Sequence, residues 1–322
     1  MDPEVAAEPV RAAARRLRGR VHRTPVHTCR TLDDAAGTPL ALKCESLQKT
    51  GSYKVRGALN RALTLPPETL ARGLVTVSAG NHAQAVAWAA ARSGTRATVV
   101  MPASAPRAKV EGARGYGAQV VLVPDAVAAF AEAERLAREE GYYLLHPFDD
   151  PHVIAGQGTV GMEILEQVPG TRRVVVPIGG GGLIAGIATW FAALRPEAEI
   201  WGVEPVGAAA MRASLDRGQP VRLERVASIA DGLAAPMAGQ LTYPIVRAHV
   251  REVVTVEDTE IGAAMRWILE RTKLVVEPAG AAALAAVLSG RIPVGADDAP
   301  TVVVLSGGNV DPDRIPALLA GG

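Results

Sequence analysis

The sequence predicts an α/β protein built from two parallel sheets covered by helices. Three observations predict it. Short apolar strands alternate with Ala-rich helical stretches over residues 74–145, and a second alternating run covers residues 158–305. Gly-containing turns follow the strands in both runs. In folds of this kind ligands sit beyond the carboxyl ends of the strands, so those turns are where chemistry is sought.

In order, residues 4–18 read as an Ala/Arg-rich helix, and Pro25 and Val26 open a loop. Residues 39–44 read as a strand, 46–51 as a loop and 52–63 as a helix. The first alternating run has strands at 74–77, 97–101, 119–123 and 143–145, with helices at 81–92, 105–116 and 126–140 between them. It closes near His146-Pro147-Phe148-Asp149-Asp150. The second run has helices at 158–167, 183–194, 259–271 and 279–288, and strands at 174–177, 199–203, 253–256 and 302–305. Residues 206–227 carry no regular pattern. Because the first unit is complete in itself, residues 73–148 are expected to form a small domain, and 1–72 with 149–322 a large one.

Composition narrows the function. Apolar residues make up 48% and charged ones 21%, as in ordinary globular proteins. Lys+Arg is 34 against 33 for Asp+Glu, so no basic excess points to nucleic acid or a membrane surface. No long uncharged apolar run predicts a membrane span, and the N-terminus lacks the apolar stretch of a signal peptide. Cys29 and Cys44 are too few for a disulfide framework and suit a reducing cytoplasm. There is no H-E-x-x-H and no G-x-S-x-G, so zinc-hydrolase and serine-hydrolase chemistry are unsupported.

Four turns carry chemistry. Gly179-Gly180-Gly181-Gly182-Leu183 joins a strand to a helix; its N–H groups and the helix dipole can cradle a phosphate, or it is a flexible turn. It is neither a Walker A loop nor a G-x-G-x-x-G fingerprint. Lys54, one of only five lysines, opens a helix after Ser52-Tyr53. A helix N-terminus disfavours its ammonium form, which is what Schiff-base chemistry needs, although a solvated surface lysine is the plainer reading. Ser78-Ala79-Gly80-Asn81-His82 can offer N–H groups to a carboxylate, or Ser78 or Asn81 can cap the helix. Ser306-Gly307-Gly308-Asn309 can present a hydroxyl at a strand tip, or be an ordinary turn.

Together these segments resemble the threonine dehydratase and serine racemase family of pyridoxal 5′-phosphate enzymes, of the tryptophan-synthase-β-like fold type II. The match runs through Lys43-x-Glu45-x-x-Gln48-x-Thr50-Gly51-Ser52-Tyr53-Lys54-x-Arg56-Gly57 and Ser78 to His82. It continues through Pro177 to Leu183, Ser228-Ile229-Ala230-Asp231-Gly232, Glu277-Pro278 and Ser306 to Asp311. The resemblance implies pyridoxal 5′-phosphate as cofactor, with Lys54 holding it covalently and later taking the Cα proton. It implies Tyr53 beside the ring, Asn81 on the phenolic oxygen, Gly179, Gly180, Gly181, Gly182 and Leu183 on the phosphate, and Ser306 at the pyridine nitrogen. It places the substrate carboxylate on Ser78, Ala79, Gly80, Asn81 and His82, and Gly232 and Glu277 at the pocket wall.

The implied reaction is loss of water from L-threonine or L-serine, giving a 2-oxo acid and ammonia. A serine racemase, or a dehydratase of 3-hydroxyaspartate or another β-hydroxy amino acid, is the alternative. Two departures bear on this. The family's cation site pairs a Glu with an Asp six residues on, and here Glu204 is followed by Ala210, so no metal is expected. Racemases usually carry Ser where this chain has Ala79. The chain ends thirteen residues after Asn309, so the resemblance is to the short enzymes without a regulatory domain. A cytoplasmic homodimer or homotetramer is expected, with a small amino acid as its partner and neither nucleic acid nor membrane.

Overall fold

The structure, a computed structural model, describes residues 3–105, 107–293 and 299–320. Among them the strands in chain order are β1 (Val26–His27), β2 (Leu40–Cys44), β3 (Leu74–Val77), β4 (Ala97–Pro102), β5 (Gln119–Val123), β6 (Tyr143–Leu144), β7 (Arg173–Pro177), β8 (Glu199–Pro205), β9 (Glu252–Val256) and β10 (Thr301–Leu305). They form a six-stranded sheet in the order β1-β2-β10-β7-β8-β9 and a four-stranded sheet in the order β5-β4-β3-β6. All pairings are parallel except β1 with β2.

The central strands are apolar throughout because helices cover both faces of the sheet. In β10, Val302 and Val304 pack with Val174, Val176 and Ile187, while Val303 and Leu305 face Leu42, Val175 and Leu284 on the other side. This is the period-2 alternation of a strand buried twice. The helix Lys54–Thr64 leaves the large sheet's strand β2 but buries Val55, Ala58, Leu59 and Ala62 with Ala83, Val86 and Met101 of the small sheet's core. It therefore straddles the two units, and its first residue faces the space between them.

Several elements differ from expectation. The helix expected from about residue 158 begins at Pro151, because Asp150 Oδ1 accepts from the N–H groups of His152 (2.8 Å) and Val153 (3.0 Å). Gly156, Gly158 and Gly161, poor helix formers, had hidden the pattern. The irregular stretch 206–227 contains a helix, Ala210–Arg217. The loop 46–51 is two tight 3-10 turns, Glu45–Leu47 and Lys49–Gly51. Helices Arg30–Ala36 and Thr242–His249 were not anticipated.

Candidate active site

A cavity of about 320 Å³ lies where the carboxyl ends of β3, β7 and β10 converge with the start of the helix Lys54–Thr64. Lys54 and Tyr53, the turn Ser78 to His82, Gly180, Gly232, Glu277 and Ser306 all line it, although they are drawn from both sheets.

Lys54 is the first residue of its helix, and its Nζ donates to Pro147 O at 3.0 Å. Burial pushes its ammonium down to about 8, against the pull of the Glu277 carboxylate. Burial, rather than the helix terminus, is thus the main cause of the shift. Tyr53 lies beneath the amine, with Nζ 5.2 Å from the ring centroid. Its phenol is pushed up, first by burial and then by Glu277.

In the glycine turn, a Cβ on Gly180 would stand 2.3 Å from the Phe148 ring, so no side chain fits there. Gly181, at φ +95°, supplies the left-handed conformation that starts the helix Gly182–Leu194. The Gly180 carbonyl accepts from Thr242 Oγ1 at 2.7 Å and from Gly239 N at 3.3 Å, which pins the turn. Gly180 lines the cavity. Gly179, Gly181, Gly182 and Leu183 form the loop and helix start behind it, with the Leu183 side chain in the core of the large sheet. What they can offer a ligand is the row of first-turn N–H groups that no helix satisfies internally, together with the dipole.

Neither Ser78 nor Asn81 caps the helix Asn81–Arg92; Gly80 occupies that position. Ser78 Oγ instead accepts from Gly80 N at 3.1 Å. Asn81 Nδ2 donates to Glu277 Oε1 at 2.6 Å, and Asn81 Oδ1 accepts from Asn309 Nδ2 at 2.8 Å. The amide is therefore oriented, with one N–H left over. Burial pushes Glu277 up to about 7 even though Asn81 donates to it.

His82 Nε2 lies 3.0 Å from Leu145 O. A carbonyl only accepts, so Nε2 carries the proton and Nδ1 is bare; Nδ1 is buried with no partner among the described residues. Burial, and then the nearby Lys54 charge, push the imidazole down to about 3. The His82 ring has its one N–H spent on Leu145 O, so what His82 can offer the expected substrate carboxylate is its backbone N–H. Ser306 is 3% exposed, and its Oγ donates to Ala279 O at 3.3 Å.

Glu204 does not stand free for a cation. Its two oxygens accept from Met211 N and Arg212 N, both at 2.8 Å, at the start of the helix that Ala210 opens. Burial pushes it up to about 8, opposed by those N–H groups. Among the described residues no group of three His, Cys, Asp or Glu could hold a metal ion, and no helix is long and apolar enough to cross a membrane.

Phe148, Lys109 and Asn309 also line the cavity and were not anticipated as site residues. Phe148 follows the end of β6, where ligands of such folds also gather, but no glycine marks that turn in the sequence.

Comparison with known proteins accounts for this arrangement. The family described as "Pyridoxal-phosphate dependent enzyme" matches residues 17–307. The chain is 46% identical over 315 residues to an L-threonine ammonia-lyase of Geobacter sulfurreducens, covering 97% of this chain and 78% of that one. It is 42% identical over 306 residues to a serine racemase of Arabidopsis thaliana, covering 94% and 92%. The solved serine racemase of maize superposes with a TM-score of 0.93 at 39% identity, covering 97% of this chain and 96% of that one. A match that runs through nearly the whole chain, on a cavity holding a lysine poised to lose its proton, means that the chain belongs to the pyridoxal-phosphate dependent enzymes.

Proposed function

We propose that this enzyme eliminates water from L-threonine and L-serine, releasing 2-oxobutanoate or pyruvate and ammonia. The observation that carries the reading is Lys54, buried with a lowered pKa in a cavity that the Ala79 turn also lines. The relatives at over 40% identity include both a threonine ammonia-lyase and a serine racemase, so the choice between the two reactions rests on the site.

The residues fit the cofactor. Gly180 leaves room where any side chain would strike Phe148, the adjoining helix start has no side-chain cap and presents first-turn N–H groups that the helix itself does not satisfy, and Ser306 offers a buried hydroxyl to a ring nitrogen. We assign Tyr53 to the ring face, Asn81 to the phenolic oxygen, and Gly179 to Leu183 to the phosphate. When bound, pyridoxal phosphate withdraws electrons from Cα of the attached amino acid. Lys54 Nζ then takes the Cα proton and, as its ammonium, can return a proton to the β-hydroxyl, so that C–O cleavage releases water; hydrolysis of the released enamine gives the 2-oxo acid and ammonia. The backbone of Ser78 to His82 holds the substrate carboxylate, and Gly232 and Glu277 close the wall. We also read residues 73–148 as a small domain, 1–72 with 149–322 as a large one, and the assembly as a cytoplasmic homodimer or homotetramer.

Cofactor uptake should report the state of Lys54 directly. Only the uncharged amine attacks the aldehyde, and the folded pKa is lowered from 10.5 to about 8. Uptake by apoenzyme should therefore rise about tenfold per pH unit up to about 8 and level off above it. A rate still climbing towards 10.5 would show that the amine is not buried.

Racemisation needs a proton carrier on each face of Cα, and Lys54 serves one. The Ala79 methyl carries no proton and the His82 ring N–H is engaged by Leu145 O, which leaves the Ser78 hydroxyl, an acceptor for Gly80 N, as the other proton-bearing side chain of that turn beside Asn81. L-Serine should thus give pyruvate with only a trace of D-serine, measured by chiral chromatography beside a pyruvate assay. Ala79→Ser should raise the D-serine to pyruvate ratio by about tenfold, below the ~10²–10⁴ of a fully positioned proton carrier. D-Serine forming in wild type as fast as pyruvate would refute the dehydratase assignment.

A further inference from the structure

Asp231 stands in the Ser228-to-Gly232 motif, yet its carboxylate has no part in the reaction above. It meets Lys109 across the mouth of the cavity. Lys109 Nζ, from the helix Arg107–Gly115 on the small-sheet side, donates to Asp231 Oδ2 on the turn Asp231–Leu233 of the other side. Both side chains line the cavity and remain partly exposed, at 26% and 44%. The other lysine and the other carboxylate on the lining are Lys54 and Glu277, and much of the remaining wall is apolar, with Val77, Ala79, Phe148, Leu233 and Ala235.

We propose that the Lys109–Asp231 ion pair is a specificity filter that admits neutral β-hydroxy amino acids and rejects acidic ones. The inference rests on the reading that the cavity takes a β-hydroxy amino acid, and it narrows the side chain. A side-chain carboxylate entering this space must leave water, which is costly without a cation to pair with. Lys54 is committed to the cofactor and to Cα. Lys109 is already paired with Asp231, so the two together offer a newcomer's carboxylate no net positive charge. Rejection thus comes from an unfavourable element, as specificity often does, while a hydroxyl and a methyl pass it without penalty.

The test uses holoenzyme and two ligands without a β-hydroxyl, L-2-aminobutyrate and L-aspartate, titrated by calorimetry. Wild type should bind 2-aminobutyrate at least about tenfold more tightly than aspartate. Asp231→Asn keeps the shape, removes the charge and frees Lys109; it should shrink that preference about tenfold, and L-threo-3-hydroxyaspartate should become a better substrate in parallel. Asp231→Asn with Lys109→Met should restore the preference. Equal binding of the two ligands by wild type, an unchanged preference in Asp231→Asn, or a gain that survives in the double variant would each overturn the filter. Lys109→Met alone should deepen the preference against aspartate, and this arm decides the matter if Asp231→Asn does not fold; unchanged aspartate binding there overturns the filter as well. Absence of 2-oxo acid from every β-hydroxy amino acid tried with wild type would instead sink the functional reading itself.

Discussion

Lys54→Ala is expected to lower turnover by about 10⁴-fold or more, the upper range for loss of a positioned proton-transfer group, because two tasks end at once. The cofactor loses its covalent hold, and Cα loses its base. Borohydride treatment of wild type should fix pyridoxal phosphate on the peptide carrying Lys54, and the variant should take no label. Lys54→Arg should not rescue, since a guanidinium stays protonated. Three of the four other lysines are poor substitutes. Lys43 Nζ donates to Glu163 and to Thr24 O, Lys109 is paired with Asp231, and Lys273 Nζ donates to Glu270 O. The truncation removes one hydrogen bond, to Pro147 O, so the fold should persist and the loss should appear in kcat. A label on another lysine, or retention of a hundredth of wild-type turnover, would end the assignment.

Lys54 was legible because lysine is scarce and its neighbours form an ordered motif, and the strands were legible because each is a short apolar run. What lay beyond the sequence is tertiary. The depressed pKa of Lys54 comes mainly from burial between two sheets, which no local pattern reports. The contact of Asn81 with Glu277 joins residues 196 positions apart. The tautomer of His82 is set by a carbonyl on a different strand end. Thr242–His249 carries Pro244 inside a short helix, so its period was hidden, yet Thr242 pins Gly180. Adjacency also misled. Lys43 belongs to the same motif as Lys54, but its side chain is fully buried and turned to Glu163 and Gln167.

That buried network carries the second large effect. Arg56, two residues after Lys54 and 1% exposed, grips Glu45 with Nε and Nη2, both at 2.8 Å. It also grips Glu163 with Nη1 at 2.6 Å and Nη2 at 3.0 Å. Burial alone would pull the guanidinium down; Glu45 and Glu163 more than reverse it and hold it above its ordinary value. Two double contacts from one planar group fix the first turn of the helix that carries Lys54. Arg56→Met should cost about 3–5 kcal/mol in denaturant unfolding, because Glu45, with no exposed surface, is left with Thr24 Oγ1 as its side-chain partner. Glu163 is less stranded, since Lys43 Nζ stays 2.6 Å away. Adding Glu45→Gln to Arg56→Met removes the stranded charge, so the double variant should be more stable than Arg56→Met alone; the two changes share one contact and should not add. Arg56→Lys should recover part of the loss, as it restores the charge but not the fork. A cost below about 1 kcal/mol for Arg56→Met, within the ordinary range for a point change, would mean that the network relaxes or admits water and does not brace the lysine helix.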